Sequence, residues 1–320
     1  MHWRTRLFTR LSRMLPHPSE PTDRYLTWMR YEPPLVLSRI LSGPIGRRLR
    51  ITERPVPVTG GAVTVRIYQP WPREPHSQLP LVINFHGGGF VFGNLSQTDW
   101  LCCRVADRAR AVVVSVAYRM APEHPAPGPF QDAWDSTRWL IEHAAALGAD
   151  PADVSVMGAS AGGNLAALVA LAHRDACRQD PQLQPLRHQI LLYPATDLTL
   201  GSPSVAEFAA GPIVTRPVLE WYGQHYLPQG RPDSIGYDDP RVSPLHHPDH
   251  TDVAPALIMV AGLDGLRDDG IRYGDILTAA GVETRVINFA DAIHGFASMP
   301  LFSPSARDAL DEIVTLIRTP

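Results

Sequence analysis

The chain has 320 residues, 44% of them apolar and 19% charged, with a net charge of −3. That is enough for one large α/β domain or two smaller ones, and it offers nucleic acid no basic surface. All 29 basic residues are arginine, which excludes chemistry that rests on lysine: a nucleotide-binding P-loop, a pyridoxal-phosphate Schiff base or a Ser–Lys dyad.

Residues 1–50 read as helical and proline-broken, with breaks around 16–21, 33–34 and 43–44. Arg4, Arg6, Arg10 and Arg13 are interspersed there with Leu7, Phe8, Leu11, Met14 and Leu15 at helical spacing. The continuous apolar core of a signal peptide is missing, and no stretch reaches the roughly 18 apolar residues of a membrane span. A basic amphipathic helix can rest on a membrane surface, but packing over its own protein is the expectation, with no stable insertion.

From about residue 51 the character changes. Val63, Val65 and Ile67 alternate with polar residues, so an edge-type strand is expected over 62–69, ended by Pro70 and Pro72. Residues 79–85 form a continuous apolar run of strand length that leads into His86-Gly87-Gly88-Gly89-Phe90. A helix over 98–108 and a strand over 111–118 follow, and then a proline-rich loop over 119–125. A helix over 130–147 has Trp134, Leu140, Ile141 and Leu147 as its core face and Gly148 as its stop. Cys102, Cys103 and Cys177 make neither a disulfide framework nor a zinc spacing, and they fit a reducing, cytoplasmic setting.

Residues 154–168 read as a buried strand, an abrupt turn at Ser160 and the start of an apolar helix over 161–177. Strands over 189–193, 255–261 and 283–289 then alternate with helices over 268–280 and 305–318. Continuous apolar strands between amphipathic helices indicate an α/β protein with a mostly parallel sheet covered on both faces. Residues 200–245 interrupt the alternation and hold Phe208, Trp221, Tyr222 and Tyr226. An insertion of this length after a strand usually carries function. The expected organisation is therefore a catalytic domain over 51–320 under a two-part cap, built from helices in 1–50 and from the insertion at 200–245.

Gly158 and Gly162 flank Ser160 in the Gly-x-Ser-x-Gly pattern of a nucleophile elbow. A serine forced into a tight strand-to-helix turn takes up strained backbone geometry, so the residues two away must lack a bulky Cβ. The helix that follows aims its first free N–H groups at the place where an oxyanion forms. Chance gives this pattern in roughly one chain in ten of this length, so context decides. His86-Gly87-Gly88-Gly89, straight after a strand, has the form of the backbone oxyanion loop of lipases and esterases; taken alone it also reads as a flexible glycine loop.

A serine hydroxyl needs a base to take its proton, and in such sheets the chain order is Ser, acid, His. His294 follows the strand over 283–289. His173, His188, His225, His246, His247 and His250 all precede the candidate acid. That acid is Asp264, directly after the strand over 255–261; Asp291, three residues before His294, is the runner-up. Asp268 and Asp269 read as first-turn helix residues favoured by the macrodipole. The run His246-His247-Pro248-Asp249-His250 invites a metal, but it is a proline-containing loop, and neither metal nor cofactor is expected.

Over residues 50–318 the chain resembles the bacterial hormone-sensitive-lipase-like, or family IV, carboxylesterases of the α/β-hydrolase superfamily. The resemblance rests on His86-Gly87-Gly88-Gly89-Phe90, Tyr118-Arg119-Met120-Ala121-Pro122-Glu123-His124-Pro125, the elbow over 158–164, the run over 264–270 and His294-Gly295-Phe296. It implies an α/β-hydrolase fold with a helical cap and a triad of Ser160, Asp264 and His294. It also implies oxyanion donors from the backbone N–H groups of Gly88, Gly89 and Ala161, with His86, Gly87, Gly158 and Gly162 in support. The implied activity is hydrolysis of small-molecule, short- to medium-chain acyl esters through an acyl-enzyme. A homodimer through the last strand and helix is implied by the family alone. Ala117 and Ala159 stand where the family usually has Asp, and Gly265 where it usually has Pro. Two other readings stay open: an amidase or deacetylase using the same side chains, and a non-catalytic ligand-binding protein on the same fold.

Overall fold

The computed structural model describes residues 3, 5, 6, 9, 27, 30, 31, 48–72, 78–230 and 234–319. Most of the expected N-terminal cap helices lie outside the described residues. Eight strands form one sheet: β1 (Leu49–Val58), β2 (Gly61–Pro70), β3 (Leu79–Phe85), β4 (Val112–Ala117), β5 (Ala149–Ala159), β6 (His188–Leu192), β7 (Ala256–Leu263) and β8 (Thr284–Ile293). Their spatial order is β1-β2-β4-β3-β5-β6-β7-β8. The β1–β2 and β2–β4 pairs are antiparallel and all later pairs are parallel.

The helices are α1 (Asp99–Ala109), α2 (Gly128–Glu142), a single turn α3 (Ala144–Leu147), α4 (Ala161–Gln179), α5 (Pro203–Glu207), α6 (Arg216–Tyr226), α7 (Arg267–Ala279) and α8 (Ser305–Arg318). Alternate strand residues feed two separate cores. Leu81, Ile83, Val114, Val156 and Ile258 pack under α2, α4 and α7, while Val82, Val113, Met157, Ile190 and Met259 pack under α1 and α8. Burial on both faces is why these strands carry unbroken apolar runs. The stripe Ala306, Ala309, Leu310, Ile313, Val314 and Ile317 holds α8 to its face at helical spacing.

Two expectations change. The strand over 62–69 is not an edge, because β1 pairs with it along its whole length. The charges at Arg50, Glu53 and Arg54, with Pro55 and Pro57, disguise β1 in the sequence. Two prolines two residues apart fall on the same alternation of an edge strand, with their nitrogens turned away from β2, where no donor is needed. The helix over 130–147 is broken at His143, whose φ of −103° and ψ of 11° end α2 before α3 begins.

Candidate active site

Loops leaving the C-terminal ends of β3, β5, β7 and β8 meet on one side of the sheet, because these strands run parallel. Ser160 follows β5 with φ 56° and ψ −119°, a strained conformation for a residue with a Cβ. Its N–H donates to Leu192 O at 2.8 Å, and its carbonyl accepts from Asn164 N at 3.0 Å. A Cβ on Gly158 would stand 2.0 Å from Gly162 O, and one on Gly162 would stand 2.0 Å from Phe85 O. The turn closes this tightly because both lack a side chain.

His294 lies in the turn after β8, with Nε2 2.9 Å from Ser160 Oγ and Nδ1 2.7 Å from Asp264 Oδ2. Asp264 Oδ1 accepts from Leu266 N at 3.1 Å. The acid and the histidine are buried, at 2% and 9% exposure. A carboxylate accepting from Nδ1–H leaves the Nε2 lone pair facing the serine hydroxyl, so the acid selects the tautomer able to take a proton. Tyr193 meets the His294 ring edge to face, with centroids 4.9 Å apart. Asp291 is exposed, and the His294 ring turns to Asp264 instead.

The glycine loop after β3 stands beside this line. Gly88 has φ 122° and accepts from Val91 N and Phe92 N at 3.1 and 3.0 Å. A Cβ there would lie 1.9 Å from Phe92 O, so only glycine fits. None of the hydrogen bonds among the described residues uses the N–H of Gly88, Gly89 or Ala161. Gly89, Ser160 and Ala161 line one pocket, and Ala161 opens α4, whose first N–H groups and dipole favour an anion. Gly87 faces the elbow: a Cβ on it would lie 3.3 Å from Ser160 Cβ. His86 sits behind the loop, buried and stacked on Tyr118 at 4.3 Å, with Nδ1 2.8 Å from Gly87 O. Burial pushes its pKa down to about 4, which keeps the ring neutral.

The pocket roof is α6, whose Leu219, Tyr222, Gly223 and Tyr226 follow the i, i+3, i+4, i+7 spacing of one helix face. The Tyr222 ring lies so close to the glycine loop that a Cβ on Gly89 would meet it at 2.4 Å. Tyr226 stacks flat on Phe90, 3.8 Å between centroids. Leu198, Leu200, Val214 and Leu266 complete the apolar wall. From the N-terminal segment, Arg30 donates to Val91 O at 2.8 Å and to Ala121 O, and pairs with Glu123. Asn94 adds a bond to Tyr31 O at 2.9 Å.

Several of these groups carry no signal in the sequence. Asn164 donates to Ala195 O at 2.6 Å and Val242 O at 2.8 Å, tying the start of α4 to loops that only the fold brings near. Tyr193 and Arg30 owe their places to tertiary packing in the same way. In the histidine run, His246 faces Asp197 at 3.1 Å, His247 bonds the Asp249 backbone and His250 meets Pro244 O at 2.9 Å. Among the described residues no group of three or more His, Cys, Asp or Glu is placed to hold a metal.

Of the three departures, Ala159 is buried at the end of β5 and Ala117 pairs with Thr64. At Gly265 an added Cβ would meet nothing nearer than Leu219 Cδ1 at 3.8 Å, and its φ is not left-handed. Gly265→Ala should therefore raise stability by about 0.4–1 kcal/mol, by narrowing the unfolded ensemble. Urea unfolding of the two proteins measures this; a midpoint lower than the parent's would show that the loop needs glycine.

The sequence model of the alpha/beta hydrolase fold family matches residues 82–298. The chain is similar to Esterase LipI of Mycobacterium tuberculosis, 38% identical over 86% of this chain and 83% of that protein. It is similar to Ethyl acetate hydrolase of Pseudomonas putida, 35% identical over 81% and 79%. Among solved structures, a hyperthermophilic esterase from the archaeon Pyrobaculum calidifontis superposes with a TM-score of 0.82 at 32% identity, covering 98% of this chain and 97% of that one.

Proposed function

Because the chain belongs to the hormone-sensitive-lipase-like esterases of the α/β-hydrolase fold and is a serine carboxylesterase, we propose that Ser160 is its nucleophile, His294 its general base and acid, and Asp264 the carboxylate that orients the imidazole. The observation that carries this assignment is the unbroken line from Ser160 Oγ through the His294 ring to Asp264 Oδ2, at 2.9 and 2.7 Å. His294 takes the hydroxyl proton as Ser160 attacks the ester carbonyl, and Asp264 stabilises the imidazolium. The N–H groups of Gly88, Gly89 and Ala161 receive the developing oxyanion. The imidazolium then gives its proton to the leaving alkoxide. A water, deprotonated by the same ring, releases the acid from the acyl-enzyme.

The pocket under α6 borders Ser160, Gly89 and Ala161 and is otherwise mostly apolar, and it is assigned to the acyl chain. Tyr222, Tyr226 and five Leu or Val residues close it, which favours short to medium acyl groups; the likeness to an ethyl acetate hydrolase points the same way. p-Nitrophenyl butyrate should be turned over at least tenfold faster than the palmitate, and the reverse order would overturn the size assignment. Stoichiometric labelling of Ser160 by a fluorophosphonate tests the nucleophile directly.

The same proposal makes residues 200–245, with the segment holding Arg30 and Tyr31, a two-part cap over a catalytic domain of 51–320. Support comes from α6 roofing the pocket and from Arg30 reaching the loop after the glycines. No described helix is long and apolar enough to cross a membrane. Three free cysteines fit a cytoplasmic setting, and the edge strand β8 with α8 offers a face for a homodimer.

A further inference from the structure

Residues 197, 198 and 200 line the acyl pocket together with Tyr222, and one buried carboxylate outside that lining bonds their segment. Asp269, in the first turn of α7, is fully buried. Its Oδ2 accepts from Asp197 N at 3.1 Å, its Oδ1 accepts from Ser202 Oγ, and its carbonyl accepts from Thr196 Oγ1 at 2.8 Å. The segment over 196–202 is thus tied to the first turn of α7 through one side chain and its backbone, beside bonds from Leu245 N to Thr196 O at 3.1 Å and from Leu198 N to Ser243 Oγ at 2.8 Å. This is more than the dipole-favoured helix start that the sequence suggests for Asp269.

The charged groups around it are few. From the wall, Asp197 presents a carboxylate that bonds Thr199 and faces His246 Nε2 at 3.1 Å, on the turn over 244–246. From α7, Arg272 bridges Asp197 Oδ2 and Ser202 Oγ, each at 2.9 Å. Asp268 and Arg267 pair with each other one residue back; Asp268 also accepts from Ser204 N at 2.9 Å, and Arg267 reaches Glu207. Ser204 Oγ donates to Gly265 O at 2.6 Å, so the loop holding Asp264 joins the same web.

We propose that Asp269 is a positioning residue for the acyl chain, holding the pocket wall against α7 when it is ionised and relaxing that wall when it takes up a proton. The proposal rests on the reading of this pocket as the acyl site. The ionised carboxylate accepts two charge-assisted bonds, from Asp197 N–H and the Ser202 hydroxyl, and such bonds are about twice as strong as neutral ones. On protonation one oxygen becomes a donor. A proton on the Oδ1 side faces Ser202 Oγ and displaces the hydroxyl proton that Oδ1 accepted, while the acceptor left for Asp197 N–H is neutral. Burial raises the Asp269 pKa to about 7, with the nearby Asp197 charge adding to the effect and the Ser202 and Asp197 N–H bonds and the Arg272 charge opposing it. The wall is therefore firm above that pH and loosens below it.

The test uses two esters that share all the reacting groups. p-Nitrophenyl acetate is too short to lean on the wall, whereas the hexanoate must; any titration of the reacting groups cancels in the ratio of their kcat/KM values. In the parent protein the hexanoate-to-acetate ratio should fall by on the order of fivefold from pH 8 to pH 6. In Asp269→Asn, which keeps an acceptor for Asp197 N–H but cannot titrate, the ratio should be flat while the acetate profile keeps its shape. Parallel profiles for the two esters in the parent would overturn the proposal without any variant, and so would an undiminished fall in Asp269→Asn. Failure of the esterase assignment looks different: neither ester is turned over and Ser160 is not labelled.

Discussion

Ser160→Ala should lower kcat on p-nitrophenyl butyrate by about three to six orders of magnitude and abolish the burst of p-nitrophenol. The physical reason is that the serine oxygen, the imidazole and the carboxylate act as one unit. Without the oxygen there is nothing for His294 to deprotonate and no acyl-enzyme to form. The expected residue of activity comes from the Gly88, Gly89 and Ala161 N–H groups polarising the carbonyl for direct attack by water. The fold should survive, because the turn at Ser160 is held by backbone bonds to Leu192 and Asn164 rather than by the hydroxyl. Turnover within tenfold of the parent would remove Ser160 from the mechanism.

Asp264→Asn should cost about 10⁴ in kcat. An amide at this position presents an N–H₂ group or a weaker acceptor to His294 Nδ1, now 2.7 Å from a carboxylate oxygen. The ring then favours the tautomer with its proton on Nε2, which points at Ser160 and has nothing to accept with. Asp291→Asn is the matched control, being the other acid near His294 in sequence, and should stay within about twofold of the parent. If the two variants lost activity equally, the carboxylate assignment would have to move. Stability measured alongside separates lost chemistry from lost fold.

What was legible in the sequence follows from how each feature is encoded. β3 to β7 announce themselves because both faces are buried, so each carries a short, mainly apolar run. Ser160, Asp264 and His294, singled out by chain order, lie within hydrogen-bonding distance because parallel strands deliver their C-terminal ends to one side. β1 was hidden because an edge strand tolerates charges and prolines that a central strand does not. β8 reaches Ile293 rather than stopping near 289, since its exposed outer residues include Asp291 and break the apolar run. Asn164, Tyr193 and Asp269 were not legible as site residues. Each acts through a partner dozens of positions away, and no local pattern marks such a pairing. Asp269 is the sharpest case: the same first-turn acid suits a solvated helix start and a buried clasp equally well.

The prolines of β1 have a consequence for how the molecule meets copies of itself. A sheet recruits a stray strand by offering alternating donors and acceptors along an open rim. At Pro55 and Pro57 that rim has no donors to offer, so the antiparallel end is a poor template for growth. The other end, β8, keeps its N–H groups and exposes Val286 to solvent. Polymerisation, where one open rim zips onto another without limit, is thereby disfavoured at the two prolines. Contact through β8 alone would end at a closed pair.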